Sequence, residues 1–222
     1  HRLGALRVRA YLDEETLASS LDPRGRVRQT INDVSGILAT QLGASLELVD
    51  VQTFQPGGTD LSVVLDELKA RDPSSDVDLV VGFLRSSPIA TSSLHELGMA
   101  DVLGRHAVVR LLDDAMELQD IEALLNRLPD SERSALFERR RRHKAAIIVL
   151  HEIAHSLGGV HGNDPHSALF PSYSPEQTRI DDDDAATMEI GVAWQRANDE
   201  DRPAIALRLA TELRSRRVRL DE

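Results

Sequence analysis

The chain has 222 residues, 41% hydrophobic and 28% charged, a globular composition long enough for one well-packed domain or one domain split by a cleft. With 26 Lys and Arg against 37 Asp and Glu, its formal charge of −11 argues against a general attraction to nucleic acid or anionic membrane. Cysteine is absent, which excludes disulfides, thiolate metal sites and a cysteine nucleophile, and no apolar run approaches the roughly 18–20 residues of a membrane span.

Residues 5–12 alternate, with Leu6, Val8, Ala10 and Leu12 on one face and Arg7, Arg9 and Tyr11 on the other, which predicts a strand with one buried side. Residues 23–43 change to a helical period through Val27, Ile31, Val34, Ile37 and Leu38, with Gly43 as the stop. Residues 45–52 predict a second strand. Asp60 then caps a short helix through Lys69, with Leu61, Val64 and Leu68 on one side. Residues 77–84 are a nearly continuous apolar run, as a central parallel strand has. Strand, helix, strand, helix, strand in this order argues for an α/β sheet with crossovers.

After a Ser- and Pro-containing loop from Arg85 to Ser93, residues 99–103 and 106–112 read as two short strands joined at Gly104-Arg105. That connection is too short for a parallel crossover, so the pair is expected to be antiparallel. Residues 114–127 follow a helical pattern, and Pro129-Asp130-Ser131 break it with a capping residue. A long helix is expected from about 131 to 157, ending at Gly158-Gly159. Residues 162–180 hold three prolines and no period. Asp181 to Ala197 predicts a helix whose first-turn acids match the dipole, and a last helix is expected over 203–216. The chain opens on His1 rather than Met, which points to a trimmed polypeptide with any leader or pro-segment outside it.

Residues 151–161 read HEIAHSLGGVH. His151 and His155, four apart on a helix, project from one face and suit two nitrogen ligands on one zinc. Glu152 is rotated roughly 100° around the axis, badly placed to join that ligand set but well placed to act as general base on a zinc-bound water. Gly158 lets the chain turn sharply at positive φ, so that His161 can face the same metal. Three neutral imidazoles leave a fourth position open, which defines a catalytic rather than a structural zinc site. Thirteen glycines and eight histidines in 222 residues make the two matches beyond HExxH a roughly one in 500 coincidence. Residues 145–150 (AAIIVL) are apolar, so the helix is expected to be buried and its polar end partnered.

This string, HExxHxxGxxH, resembles that of the metzincin zinc peptidases, and its continuation HGNDPHSALFPSY (161–173) is similar to the matrixin segment running from the third zinc histidine through the Met-turn to a Pro-x-Tyr wall. The resemblance is tight over about 145–173 and architectural elsewhere. It implies zinc ligation by His151, His155 and His161, one catalytic ion, and Glu152 as the base. Asp164-Pro165 keep their place, and Pro171 and Tyr173 fall on the wall of the S1′ pocket. Leu169 occupies the Met-turn methionine position, where its similar volume serves the same packing role. Met188, the rival for that role, sits in a predicted helix. Gly162 departs from the residues usual after the third histidine in the matrixin, adamalysin and astacin groups.

The resemblance further implies a metzincin-like α/β (α+β) fold. It has a twisted, mostly parallel five-stranded sheet with an antiparallel edge strand, a long active-site helix and a smaller, mainly helical C-terminal lobe. One catalytic domain is expected over 1–222, with an N-terminal lobe over 1–158, a helical insertion at about 113–144, and a C-terminal lobe over 159–222. An extended peptide would pair with the edge strand at Met99, Ala100, Asp101 and Val102 by β-augmentation. The implied activity is that of a zinc-dependent endopeptidase acting on protein or peptide substrates. The alternative is a catalytically silent metzincin-like domain that binds a peptide or partner, which would predict a damaged motif. Family habit also implies a secreted, extracellular or cell-envelope location.

Other features take plainer readings. His166 reads as a loop histidine bonded locally, and His95, His106 and His143 have no ligand spacing. The basic run 139–144 (RRRRHK) has no interleaved aromatics and reads as a solvated helix face paired to nearby acids. Calcium at Asp181 to Asp184 is not supported by their spacing, and helix N-terminal charge is the better account.

Overall fold

A computed structural model describes residues 3–19, 21–85, 91–110, 118, 119, 122, 123, 125 and 127–215. Among them are five strands and seven helices, in the order β1 (Gly4–Asp13), α1 (Glu14–Ser19), α2 (Pro23–Leu42), β2 (Ala44–Phe54), α3 (Leu61–Arg71), β3 (Leu79–Leu84), α4 (Leu94–Leu97), β4 (Gly98–Ala100), β5 (His106–Arg110), α5 (Asp130–Ser156), α6 (Asp182–Arg196) and α7 (Arg202–Ser215). No helix among the described residues is long and apolar enough to cross a membrane.

The strands form one sheet in the order β2-β1-β3-β5-β4. β1, β2, β3 and β5 are parallel, and β4 runs antiparallel at the edge, with Met99 opposite Val108 and Ala100 opposite Ala107. β3 is buried at all six positions, as its unbroken apolar run predicts for a central strand. The α2 crossover returns β2 to one side of β1, and the α3 crossover carries β3 to the other. The sheet is therefore wound in both directions and covered on both faces.

The larger core lies on the face carrying Leu6, Val8, Ala10 and Leu12, which meet Val27, Ile31, Val34 and Leu38 of α2 and the apolar stretch Ala146–Leu150 of α5. A smaller core lies beneath α3, where Val64 and Leu68 meet Tyr11, Phe54, Val80 and Val108. Burial on both faces of β1 corrects the one-sided strand expected from its alternation. Tyr11 is buried, and its neighbour on that face, Arg9, is sunk among Asp50 (2.9 Å), Asp72 (2.9 Å) and Asp76 (2.7 Å).

Other differences have local causes. Residues 99–103 do not form a full strand, because β4 stops at Ala100 and 101–105 make a turn closed by Gly104 N–H to the Asp101 carbonyl (2.8 Å), with Leu103 at φ 58°. The glutamine that helps fix this turn is distant in sequence. Arg105 donates to the Gln195 carbonyl (2.5 Å), and the Gln195 amide donates to the Ser156 carbonyl at the end of α5 (3.2 Å). α5 starts from Pro129 without the side-chain cap expected of Asp130 or Ser131, and Asp130 instead accepts from Arg133 within the first turn. Two short helices, α1 and α4, lie in stretches for which the sequence pattern predicted no element, and the Asp13 side chain caps α1 through the Thr16 amide (2.5 Å). Most of the helix expected over 114–127, with residues 111 and 112 of the last predicted strand and residue 216 of the last helix, lies outside the described residues.

Arg9 is the cation that all three of these carboxylates share. Burial alone pushes Asp72 up, but hydrogen bonds from Arg9, the Ser74 amide and Tyr11 outweigh it and hold the carboxyl below its ordinary value. The hydrogen bond from Arg9 likewise holds Asp76 down. Arg9→Met is expected to destabilise the fold by about 2–4 kcal/mol at pH 7, because it leaves Asp72 buried without its partner. Folded-state carboxyls held low stabilise fully above the unfolded value of about 3.9 and lose that contribution as pH falls through the lower folded value. Urea unfolding at pH 7 and pH 3 should therefore show the gap between wild type and variant narrowing in acid.

Candidate metal centre and substrate edge

The last two turns of α5 are buried on every side from Ala146 to Ala154, which fixes the helix in place beneath the sheet. His151 and His155 leave one face of it. The helix ends at Leu157, and Gly158 turns the chain back at φ +87°, where a β-carbon would also come within 2.9 Å of Leu103 Cδ2. That turn brings His161 round to the other two rings. The three Nε2 atoms form a nearly equilateral triangle, with sides of 3.0 Å (His155 to His151), 3.1 Å (His155 to His161) and 3.2 Å (His161 to His151).

Two ring tautomers follow from the partners. His151 Nδ1 faces the Ala168 carbonyl at 2.8 Å, and His155 Nδ1 faces the Gly159 carbonyl at 2.9 Å. A carbonyl only accepts, so both Nδ1 atoms carry hydrogen and both Nε2 atoms of the neutral rings are bare lone pairs. Burial is the first cause that pushes His151 well below the ordinary imidazole value, and burial takes His155 down to about 4. Lone pairs facing one another at 3.0 Å repel unless a cation lies between them. Tetrahedral zinc with ligands at about 2.0–2.1 Å sets its nitrogens roughly 3.3–3.4 Å apart, close to the triangle observed. The donor set therefore fits zinc, and among the described residues it is the one group of three or more His, Asp or Glu side chains able to share a metal.

Glu152 is 2% exposed, and its carboxylate has no hydrogen-bond partner among the described residues. Burial pushes it up to about 8. Its side chain lies against Gly98 of β4, where a β-carbon would stand 2.6 Å from both Glu152 Cγ and Oε1. Sequence reading did not find Gly98, because the glycine provides space for a distant side chain rather than a turn.

Backbone alternation decides what β4 offers. Asp101 N–H bonds inward to the His106 carbonyl at 2.8 Å, and facing directions alternate along an antiparallel pair. Met99 therefore also turns its polar groups toward β5, whereas Gly98 and Ala100 turn theirs outward. Gly98 N–H is already bonded to the Leu94 carbonyl, which leaves the Gly98 carbonyl and both groups of Ala100. Side chains follow the same alternation. Gly98 and Ala100 face α5, while Asp101 reaches Lys69 of α3 at 3.2 Å and Met99 lines a cavity of about 370 Å³ with Leu61, His95 and Arg110. Of the four residues expected to meet substrate, Ala100 alone thus presents a complete outward backbone, and Val102 lies beyond the strand in the turn.

The remaining predicted positions gather on the segment after His161. Leu169 is fully buried, with Cδ1 2.8 Å from where a β-carbon of Gly159 would be. Met188 is equally buried, in α6. Pro171 to Tyr173 run antiparallel to Ser92–Leu94, through Leu94 N–H to the Pro171 carbonyl (2.9 Å) and Tyr173 N–H to the Ser92 carbonyl (2.7 Å). The Tyr173 hydroxyl meets His143 Nδ1 at 3.0 Å, so His143 has a partner that its spacing did not reveal. Asp164 pairs with Arg179, and the His166 amide bonds to the Asp164 carboxylate (3.0 Å). Asp181 caps α6 through the Asp184 amide (2.8 Å). In the basic run, Arg141 pairs with Glu138 and Arg142 with Asp33. His106 is buried and donates Nε2–H to the Asp72 carbonyl at 2.6 Å.

The family model for the matrixins matches residues 74–190. Among solved structures, archaemetzincin from Methanopyrus kandleri is similar over 95% of this chain and 96% of its own, at 16% identity and a TM-score of 0.47. A protein from the structure of a chaperone–substrate complex is similar over 87% of this chain, at 11% identity and a TM-score of 0.52, with only 35% of its own length covered. No curated protein matches the chain. A family match over more than half the chain, carried by a histidine triangle that fits zinc, makes the chain a member of the matrixin family and a metallopeptidase by type.

Proposed function

We propose that the protein is a zinc-dependent endopeptidase that uses Glu152 as general base. The observation that carries this reading is the convergence of three imidazole Nε2 atoms within 3.2 Å of one another, one residue along the helix from a buried carboxylate. His151, His155 and His161 would hold the ion. When bound, zinc there supplies a Lewis acid that acidifies water toward pH 7 and polarises a peptide carbonyl.

The chain's own residues supply the rest. Glu152, with no hydrogen-bond partner among the described residues to compete, accepts a proton from the attacking water and passes it to the departing amine. An extended peptide aligns on the Gly98 carbonyl and on the N–H and carbonyl of Ala100, with Met99, Asp101 and Val102 supporting that edge from behind and beyond it. Gly158 and Leu169 hold the third ligand and the floor of the site, and Pro171 and Tyr173 form the wall on the C-terminal side. An intact ligand set beside an intact base favours this reading over a silent binding domain.

Two experiments test it. Metal analysis should find one zinc per chain, lost in His151→Ala, His155→Ala or His161→Ala. Glu152→Gln should keep its zinc and lose roughly 10²–10⁴-fold in peptide hydrolysis. Zinc-loaded wild type and Glu152→Gln equally inert across broad peptide libraries would leave only the binding domain.

Gly98→Ala isolates the contact between base and edge strand. Its β-carbon would displace the Glu152 side chain, so kcat should fall at least about 10-fold while zinc content stays at the wild-type level. Unchanged kcat in a folded Gly98→Ala would show that the carboxylate position is not set by this strand.

A further inference from the structure

Gln177 is fully buried, although it lies in an irregular loop. Both ends of its carboxamide are used. Nε2 donates to the carbonyls of Ser167 (3.0 Å) and Phe170 (3.3 Å), and Oε1 accepts from Ser174 N–H (2.8 Å). These bonds bracket Ala168 and Leu169. The Ala168 carbonyl is the one that orients His151, and Leu169 packs on Gly159, whose carbonyl orients His155.

The backbone carbonyl of Gln177 is held as well. It accepts from His143 Nε2–H at 2.7 Å, and His143 stands on α5 about two turns before His151. With Nε2 protonated, the neutral ring presents Nδ1 as an acceptor for the Tyr173 hydroxyl. The hydrogen-bonded path thus leaves α5 at His143, passes through Gln177 to the carbonyls flanking Ala168, and returns to α5 at His151. A loop that only had to close could do so with backbone bonds. Here a buried amide and a half-buried imidazole fix one carbonyl against one metal-facing ring.

We propose that Gln177 and His143 are positioning residues for the metal centre. Gln177 holds the Ala168 carbonyl in line with His151 Nδ1, and His143 anchors Gln177 and, through Tyr173, the neighbouring wall to the same helix. This rests on the zinc reading of the three histidines. Carbonyl partners of ligand histidines fix ring orientation and raise basicity, and their loss commonly costs 10–100-fold in metal affinity.

The test uses zinc itself, in competition with a chromophoric chelator, and the visible spectrum of the cobalt(II)-substituted protein. Gln177→Leu and His143→Leu should each bind zinc about 10–100-fold more weakly than wild type, with displaced cobalt bands. His143→Gln, whose amide can still donate to the Gln177 carbonyl, should recover most of that loss. Should Gln177→Leu fail to fold, the two His143 variants decide the matter. Wild-type zinc affinity and an unchanged cobalt spectrum in His143→Leu, or a loss that His143→Gln does not relieve, would overturn the proposal. Wild-type protein that takes up no zinc would overturn the zinc reading first, and this inference with it.

Discussion

Three imidazole nitrogens within 3.2 Å of one another, two of them bare lone pairs, are an unfavourable arrangement without a cation, and the surrounding structure holds them there. Burial keeps His151 and His155 neutral, and backbone carbonyls on their far sides settle which nitrogen carries the hydrogen. Holding rings in this way is costly unless a ligand repays it, so the metal and the local fold are coupled. Gly158, at φ +87°, turns the chain back toward the same centre within a few residues of the helix end.

The sheet supplies the other half of the cleft. Winding in both directions from β1 leaves β4 at an edge, antiparallel and only three residues long, directly beside the buried end of α5. Gly98 lets Glu152 lie against that edge, two residues along β4 from the outward backbone of Ala100. Leu169 is fully buried and packs on Gly159, whose carbonyl faces His155 Nδ1.

The legible parts of the sequence were those set by local spacing. The four-residue step from His151 to His155, the glycine turn and the third histidine follow from helix geometry, and the alternating and continuous apolar runs placed β1, β2 and β3. What sequence reading missed depends on contacts between distant segments. Gly98 matters because Glu152 comes to it, and Gln177 and His143 matter because they meet across a gap of 34 residues. The far face of β1 looked solvated because Arg9 and Tyr11 are polar, yet acids from β2 and the loop after α3 close over it. The strand expected over 99–103 was too long because the turn that ends it is pinned through Arg105 to the distant Gln195.

The central claim is that one divalent ion is shared by three histidines of this chain. X-ray absorption at the zinc edge of the zinc-loaded protein tests it most directly. The account predicts a four-coordinate shell of nitrogen and oxygen at about 2.0–2.1 Å, with the outer scattering of three imidazoles. A shell of oxygens alone, or outer scattering from fewer than three imidazoles, would contradict it.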